Sequence, residues 1–329
     1  MKKILNQLFE HQTLSSSEAQ KVLTDIAKGC YNEAEIASFL TVFIMRSITI
    51  EELSGFRQTL LDLCLKIDLS DFDPIDLCGT GGDGKDTFNI STLASFVVAG
   101  SGTKVAKHGN YGVSSACGSS NVMEHLGYKF TNNADQLKKQ IDQSGICFLH
   151  APLFHPAMKN VAPVREKMGV KTFFNMLGPM VNPSFPKNQM VGVFSLELAR
   201  LYNYLYQKTD KKYVILHSLD GYDEISLTSD FKAITNATES VISPQQLGFE
   251  KLKQEQLFGG STVSDAAKIF VNILEGKGSK AQNNTVISNA AFALQVVHSS
   301  KEIETCISEA KESLLSGKAL KSFKKLIEL

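Results

Sequence analysis

Four glycines fall within the six residues Gly79-Thr80-Gly81-Gly82-Asp83-Gly84, and they limit what can stand on either side of them. The apolar run from Pro74 to Cys78 reads as the end of a strand. Leu93-Ala94-Ser95-Phe96-Val97-Val98-Ala99-Gly100 reads as a helix that ends at Gly100. Between them Thr87, Asn89, Ser91 and Thr92 supply hydroxyl and amide groups where that helix begins. A strand, a glycine loop and a helix N-terminus in this order let bare backbone N–H groups face a phosphate. Glycine is needed because a Cβ would hold the anion away. The loop has no Gly-x-x-x-x-Gly-Lys-Ser/Thr, and it lacks the register of Gly-x-Gly-x-x-Gly. A flexible turn after a strand is the competing reading, and the polar residues at the helix start weigh against it.

A second loop repeats the arrangement. Lys107-His108-Gly109-Asn110 closes the next apolar run, and Tyr111-Gly112-Val113-Ser114-Ser115-Ala116-Cys117-Gly118-Ser119-Ser120-Asn121 leads into another helix. Two consecutive strand–loop–helix units place small polar residues at one end of a sheet, where open α/β sheets bind ligands. With Gly-Thr-Gly-Gly-Asp, Asn-Ile-Ser-Thr and Lys-His-Gly-Asn in this order, the chain resembles the anthranilate phosphoribosyltransferases of tryptophan biosynthesis. The likeness continues through His155-Pro156-Ala157-Met158, Arg165, Phe174-Asn175-Met176-Leu177-Gly178-Pro179 and Asp223-Glu224, and so covers essentially the whole chain.

Two rival readings are open. Pyrimidine nucleoside phosphorylases share the fold and the glycine loop, but carry Lys-His-Ser before the first loop and Ser-Gly-Arg in the second. This chain has Asp76-Leu77-Cys78 and His108-Gly109-Asn110 there. A non-enzymatic relative that binds nucleic acid would need a basic groove. Lys plus Arg and Asp plus Glu number 34 each, so no global positive field favours nucleic acid or a membrane surface. An anionic substrate must be held by local groups.

Along the chain, residues 1 to about 70 read as helices. Ser15 with Glu18, Asn32 with Glu35 and Thr49 with Glu52 form capping-box signals ahead of apolar residues on one helical face. So thin a helical layer leaves apolar faces for the larger domain and for a second copy of the chain. From Asp73 the period changes. Strands are expected at Ile75–Cys78, Lys104–Lys107, Tyr128–Phe130 and Ile146–His150, with helices around 91–100, 118–126 and 134–143, an alternation that predicts a mostly parallel sheet covered on both faces. Pro152, Pro156, Pro163, Pro179, Pro183 and Pro186 mark an irregular connection. Further strands are expected at Met190–Phe194, Tyr213–Ser218, Glu224–Leu227 and Lys232–Thr235. Three amphipathic segments, 264–275, 285–297 and 301–315, close the chain, with Gln282-Asn283-Asn284 as a loop. The fold class is therefore α/β: a small all-helical N-terminal domain over 1–70, and a large α/β domain over 71–329 with a mostly parallel central sheet flanked by helices. The resemblance implies that part of 165–190 completes the helical domain.

The resemblance implies transfer of the phosphoribosyl group of phosphoribosyl pyrophosphate (PRPP) to the amine of anthranilate. On that pattern Gly79, Gly82, Asp83, Thr87, Asn89, Ile90, Ser91, Thr92, Lys107 and Ser119 contact PRPP. Gly79, Asn110 and Arg165 contact anthranilate, and Ser91, Asp223 and Glu224 hold Mg²⁺, two ions per monomer. Adjacent acids in a turn are commonly solvated, a lysine closing a strand commonly points to water, and Arg165 alone would read as a helix-surface arginine. A pyrophosphate leaving group and a carboxylate-bearing acceptor reverse those readings, since Mg²⁺ takes hard oxygen ligands and arginine donates two parallel bonds to a carboxylate. His108 and His155 match the pocket but read equally well as structural. No Ser-His-Asp or Cys-His arrangement calls for a covalent intermediate, and no acid or base is obligatory for a neutral aromatic amine. The family usually has arginine at Tyr111, lysine at Ala116 and aspartate at Asn121.

A homodimer through the helical domain is also implied. The six cysteines (Cys30, Cys64, Cys78, Cys117, Cys147 and Cys306) form no Cys-x-x-Cys pair and read as free thiols of a reducing compartment. No signal peptide is evident, and the apolar stretch Ile36 to Met45 is too short to span a bilayer. A cytoplasmic enzyme is expected.

Overall fold

The computed structural model describes residues 1–112 and 117–329. The chain divides into two compact units, Met1–Lys66 with Ala151–Pro183, and Ile67–His150 with Ser184–Leu329. These bounds compare with the expected 1–70 plus part of 165–190 for the helical domain.

The smaller unit is helical throughout its first stretch: Lys2–Phe9, Ser16–Ala27, Glu33–Met45 and Ile50–Leu63. All three capping boxes form, each satisfying a backbone N–H that a helix start would leave open. Glu52 does more than cap. Its buried carboxylate accepts from the Leu14 and Thr49 N–H groups at 2.9 Å each and from both Arg46 Nη atoms at 2.6 and 2.9 Å. The returning segment is bound by aromatic packing: Phe173 stacks on Phe56 at 4.4 Å and meets Phe39 and Phe43 edge-on. Asn160 Nδ2 donates to the Ile26 and Ala27 carbonyls, closing the end of a helix.

The larger unit carries a seven-stranded sheet among the described residues: β1 Ile75–Gly79, β2 Val105–Gly109, β3 Ile146–His150, β4 Asn188–Gly192, β5 Lys212–Ser218, β6 Phe231–Thr235 and β7 Glu239–Ile242. The order is β3-β2-β1-β4-β5-β6-β7, parallel through β5 and antiparallel for the last two. The α/β class with a mostly parallel sheet, expected from the sequence, is the one observed. The helices Ile90–Gly100 and Lys280–Val297 are buried on nearly every side and form the centre of the core.

Several sequence expectations are corrected. Tyr128–Phe130 is no strand: Tyr128 is buried against Phe148 and bonds Gln140, so its β-rich composition serves packing. Glu224–Leu227 is no strand either, because Leu227 has φ +61° and side chains take the place of a ladder. Gln282-Asn283-Asn284 lies inside the Lys280–Val297 helix, which Ser279 and Gln282 start with a capping box. The sequence reading missed the helix Leu196–Tyr206, strand β7 and the final helix Lys318–Glu328. Gly100 allows close packing: a Cβ there would lie 2.5 Å from Ser313 Oγ.

Candidate active site

Because β2 and β3 lie on one side of β1 and β4 on the other, the chain reverses direction across the sheet between β1 and β4. Ligands of open α/β sheets bind at such switch points, beyond the carboxyl ends of the strands. β1 and β4 pair in register to their last residues, Gly79↔Gly192. The Asp223-Glu224 segment lies directly on both ends. A Cβ on Gly192 would fall 1.5 Å from the Asp223 carbonyl oxygen, and one on Gly79 would fall 2.3 Å from Asp223 Oδ2. Two glycines are thus required where an acidic loop crosses two strand ends.

That loop is fixed from behind. Asn289, buried in the Lys280–Val297 helix, accepts from the Ile225 N–H at 3.1 Å and donates to the Ile225 carbonyl at 2.9 Å. Ser218 Oγ donates to the Glu224 carbonyl at 2.6 Å. From the front, the Gly81 N–H donates to Asp223 Oδ2 at 2.6 Å and the Ser91 N–H to Glu224 Oε1 at 3.0 Å. The acids therefore occupy two of the backbone donors, one in the glycine loop and one at the helix N-terminus, that the sequence offers to an anion.

On the other side of β1, Ile75↔Val105 sets the register with β2, and side chains bridge beyond it. Lys107 is buried, and its Nζ donates to the Leu77 carbonyl at 2.5 Å and lies 3.4 Å from Ser91 Oγ. Lys107 thus does not point to water, the common fate of a lysine that closes a strand. The buried Asp76 carboxylate accepts the His108 N–H at 3.1 Å.

Electrostatically the site is short of positive charge. Burial, then the charge of Asp83, pushes the Asp223 carboxyl up to about 7. Burial and the charge of Asp223 hold Glu224 well above the ordinary carboxylate range, and burial raises Asp83. Burial also lowers Lys107. Three desolvated carboxyl groups with hydroxyl and backbone oxygens beside them make a hard-oxygen donor set suited to Mg²⁺. Among the described residues no cluster of three or more His, Cys, Asp and Glu side chains already has metal-holding geometry, so such an ion would keep several waters. The sequence reading gave Asp83 to PRPP alone. Its charge on Asp223 shows that it also belongs with the acids, a partnership between segments so far apart in the chain that no local spacing reveals it.

The remaining candidates divide by location. Gly82 has φ +78°, and Thr87 forms an isolated antiparallel bridge with Phe258. Ile90 and Thr92 are buried in the first turn of the Ile90–Gly100 helix. Asn89 precedes that helix, and its amide reaches across to the Cys117 carbonyl at 3.1 Å, joining the two loops. Ser119 Oγ donates to the Asn110 carbonyl at 3.3 Å. Arg165 belongs to the helical unit. It is half-buried, donates to Asn175 Oδ1 at 3.2 Å and lies over the Phe174 ring, so it is not the fully solvated arginine of a helix surface.

The sequence and the architecture meet in known families. Residues 72–320 match the family described as "Glycosyl transferase family, a/b domain", and residues 2–64 match its "helical bundle domain". Over 329 residues the chain is 64% identical to the anthranilate phosphoribosyltransferase of Flavobacterium psychrophilum, covering 100% of this chain and 99% of the relative. The chain belongs to the anthranilate phosphoribosyltransferase family. The member from Christiangramia forsetii is 63% identical over the same shares. Among solved structures, the anthranilate phosphoribosyltransferase of Thermus thermophilus superposes with a TM-score of 0.87 at 28% identity, covering 98% of each chain. The one from Saccharomyces cerevisiae, in complex with PRPP and Mg, gives 0.89 at 27% identity over 98% of this chain and 96% of that one. These likenesses do not favour a pyrimidine nucleoside phosphorylase or a nucleic-acid-binding relative.

The second loop holds the residues expected from the sequence to differ from the anthranilate phosphoribosyltransferase pattern. Tyr111 sets its ring edge-on to His150 at 4.9 Å, and Asn121 Oδ1 accepts from the Gly112 and Gly118 N–H groups at 2.9 and 3.0 Å. The Ala116 departure lies outside the described residues.

Proposed function

We infer that this chain transfers the phosphoribosyl group of PRPP to the amine of anthranilate, giving N-(5-phosphoribosyl)anthranilate and pyrophosphate. The observation that carries the reading is the meeting of glycine loop, helix N-terminus, Lys107 and three carboxyl groups at the ends of β1 and β4, in a chain with full-length likeness to this family.

Displacement at the anomeric carbon develops positive charge on the sugar and negative charge on the leaving pyrophosphate. The chain's part is to hold the ends in line and stabilise that charge. In this reading Gly79, Gly82, Asp83, Thr87, Asn89, Ile90, Ser91, Thr92, Lys107 and Ser119 hold PRPP. Lys107, already desolvated and tied to the Leu77 carbonyl, presents a fixed positive charge at the helix start. Asn110, Arg165 and the Gly79 backbone receive anthranilate, the guanidinium meeting its carboxylate. Since the acceptor amine is neutral, no side chain has to remove a proton before attack.

Asp223, Glu224 and the Ser91 hydroxyl would hold Mg²⁺, two ions per protomer. When bound, the metal supplies positive charge to the leaving group. The acids have a second consequence. They take the Gly81 and Ser91 N–H groups, so an anion settling there must displace them.

We place the enzyme in the cytoplasm. Among the described residues no helix is long and apolar enough to cross a membrane. A homodimer through the helical unit accords with the exposed Phe9, Ile44 and Met45 on that unit. The activity is tested by mixing the protein with Mg²⁺, PRPP and anthranilate and following loss of anthranilate fluorescence together with pyrophosphate release. Equal, PRPP-dependent loss and release is expected. Phosphorolysis of a pyrimidine nucleoside with no reaction of anthranilate would overturn the reading.

A further inference from the structure

Two ends of the glycine loop touch the acidic loop. At the first, the Gly81 N–H donates to Asp223 Oδ2. At the second, Lys85 Nζ lies 4.6 Å from the centroid of the Tyr222 ring. Tyr222 directly precedes Asp223 and is 2% exposed, so its ring is fixed by the core. The stem of Lys85 runs alongside the same turn, its Cε 3.9 Å from where a Cβ on Gly221 would stand. Between the two ties lie Gly81, Gly82 and Gly84, all with positive φ (+68°, +78° and +71°). A chain of such residues has many conformations close in energy. Backbone bonds flank it, from the Thr80 N–H to the Gly192 carbonyl at 2.9 Å and from the Gly259 N–H to the Asp86 carbonyl at 2.8 Å, and the two contacts with the acidic loop orient the stretch between them.

We propose that Lys85 and Tyr222 form a latch, a cation held on an aromatic face, that keeps the glycine loop in register with Asp223 and Glu224 for PRPP binding. Lys85 is a positioning residue in this role: it acts through the ring and the loop. The proposal rests on the PRPP reading of the site.

A partly exposed ammonium on a ring face is weakly to moderately attracted, and its loss corresponds to about a two- to five-fold change in an equilibrium constant. Steady-state kinetics with each substrate varied in turn provide the test. Lys85→Met should raise the KM for PRPP by about two- to five-fold. The KM for anthranilate and kcat should stay near the unmodified values. Lys85→Arg and Tyr222→Phe keep a cation and a ring and should behave as the unmodified chain. Tyr222→Leu should match Lys85→Met, and the double variant should be no worse than either single one, since one contact is removed in each case.

If Tyr222→Leu does not fold, phenylalanines of increasing fluorine content at position 222 keep the ring's shape while draining its negative face. The KM for PRPP should then climb with fluorination. A flat series, or single-variant effects that multiply in the double, would overturn the latch and assign Lys85 to direct contact with the substrate. The outcomes separate cleanly from failure of the functional reading, which would appear as an unmodified chain that does not consume PRPP with anthranilate.

Discussion

The guanidinium of Arg165 has given up part of its hydration, and burial lowers its hold on the proton. One Nη donates to Asn175, and the ring of Phe174 lies beneath the planar head. A planar, desolvated fork of this kind is prepared for a carboxylate, and a charge-assisted bond of that sort is worth roughly 1.5–3 kcal/mol. Arg165→Ala should therefore raise the KM for anthranilate by about 10- to 100-fold and leave that for PRPP within a few-fold. Arg165→Lys should rescue little, because an ammonium cannot stack or donate in parallel. Equal loss for both substrates would instead point to collapse of the Phe174 neighbourhood. At this scale the sequence exposed the candidates but not their surroundings. Lys107 and Arg165 sit in polar-looking stretches, yet one is buried and the other half-buried. Burial depends on chain packed over a residue from far along the sequence, and no window around it contains that.

Among the elements, the Lys280–Val297 helix contributes Asn289, whose amide accepts from the Ile225 N–H and donates to the Ile225 carbonyl, with a further bond to the Thr285 carbonyl of its own helix. Asn289→Leu leaves a buried N–H and carbonyl without partners, at roughly 1–3 kcal/mol each. Melting temperature should fall, and the stabilisation gained by adding Mg²⁺ should shrink because Asp223 and Glu224 lose their bracket. An unchanged Mg²⁺ response would show that the acids hold their place without it. In the helical unit, Glu52 supports three segments at once through Leu14, Thr49 and Arg46. Burial opposes its charge, but the bonds from Arg46, Thr49 and Leu14 outweigh that and hold its carboxyl below its ordinary value. A depressed carboxyl contributes stability that is present above the unfolded value of about 4.5 and lost as pH falls through the folded one. Glu52→Ala should cost about 3 kcal/mol at neutral pH. A pH series of thermal melts should show the variant losing less stability than the unmodified chain on acidification below pH ~4.5. The capping boxes were legible because their chemistry is local, three residues apart. Glu224–Leu227 misled because its β-rich composition suits an irregular segment when Asn289 and Ser218 replace a ladder. The last helix was missed because its first turn, Lys318-Ala319-Leu320, follows only a left-handed Gly317 and has no side-chain cap.

On the scale of the molecule, sheet order decides where chemistry can occur. Strands β1 and β4 were both legible in outline, but their adjacency was not, since β2 and β3 intervene in the chain. That adjacency brings Asp223 over Gly79 and Gly192, and so brings one part of the proposed site, the acids, to another, the glycine loop. With equal numbers of cationic and anionic side chains, no overall field gathers PRPP, and the local arrangement must do so. If the chain dimerises through its helical unit, Met45→Glu should place a charge on an 83% exposed apolar residue and shift sedimentation toward the monomer. The acids and the backbone donors they occupy give the most direct test of the site. Calorimetric titration of PRPP, with and without Mg²⁺, compares the unmodified chain with the Asp223→Asn, Glu224→Gln double variant. The unmodified chain should bind much more tightly with Mg²⁺. The double variant should bind equally with and without it, and without Mg²⁺ at least as tightly as the unmodified chain, because neutral amides release the Gly81 and Ser91 N–H groups more readily. A double variant that keeps the full Mg²⁺ response would contradict this account of the site.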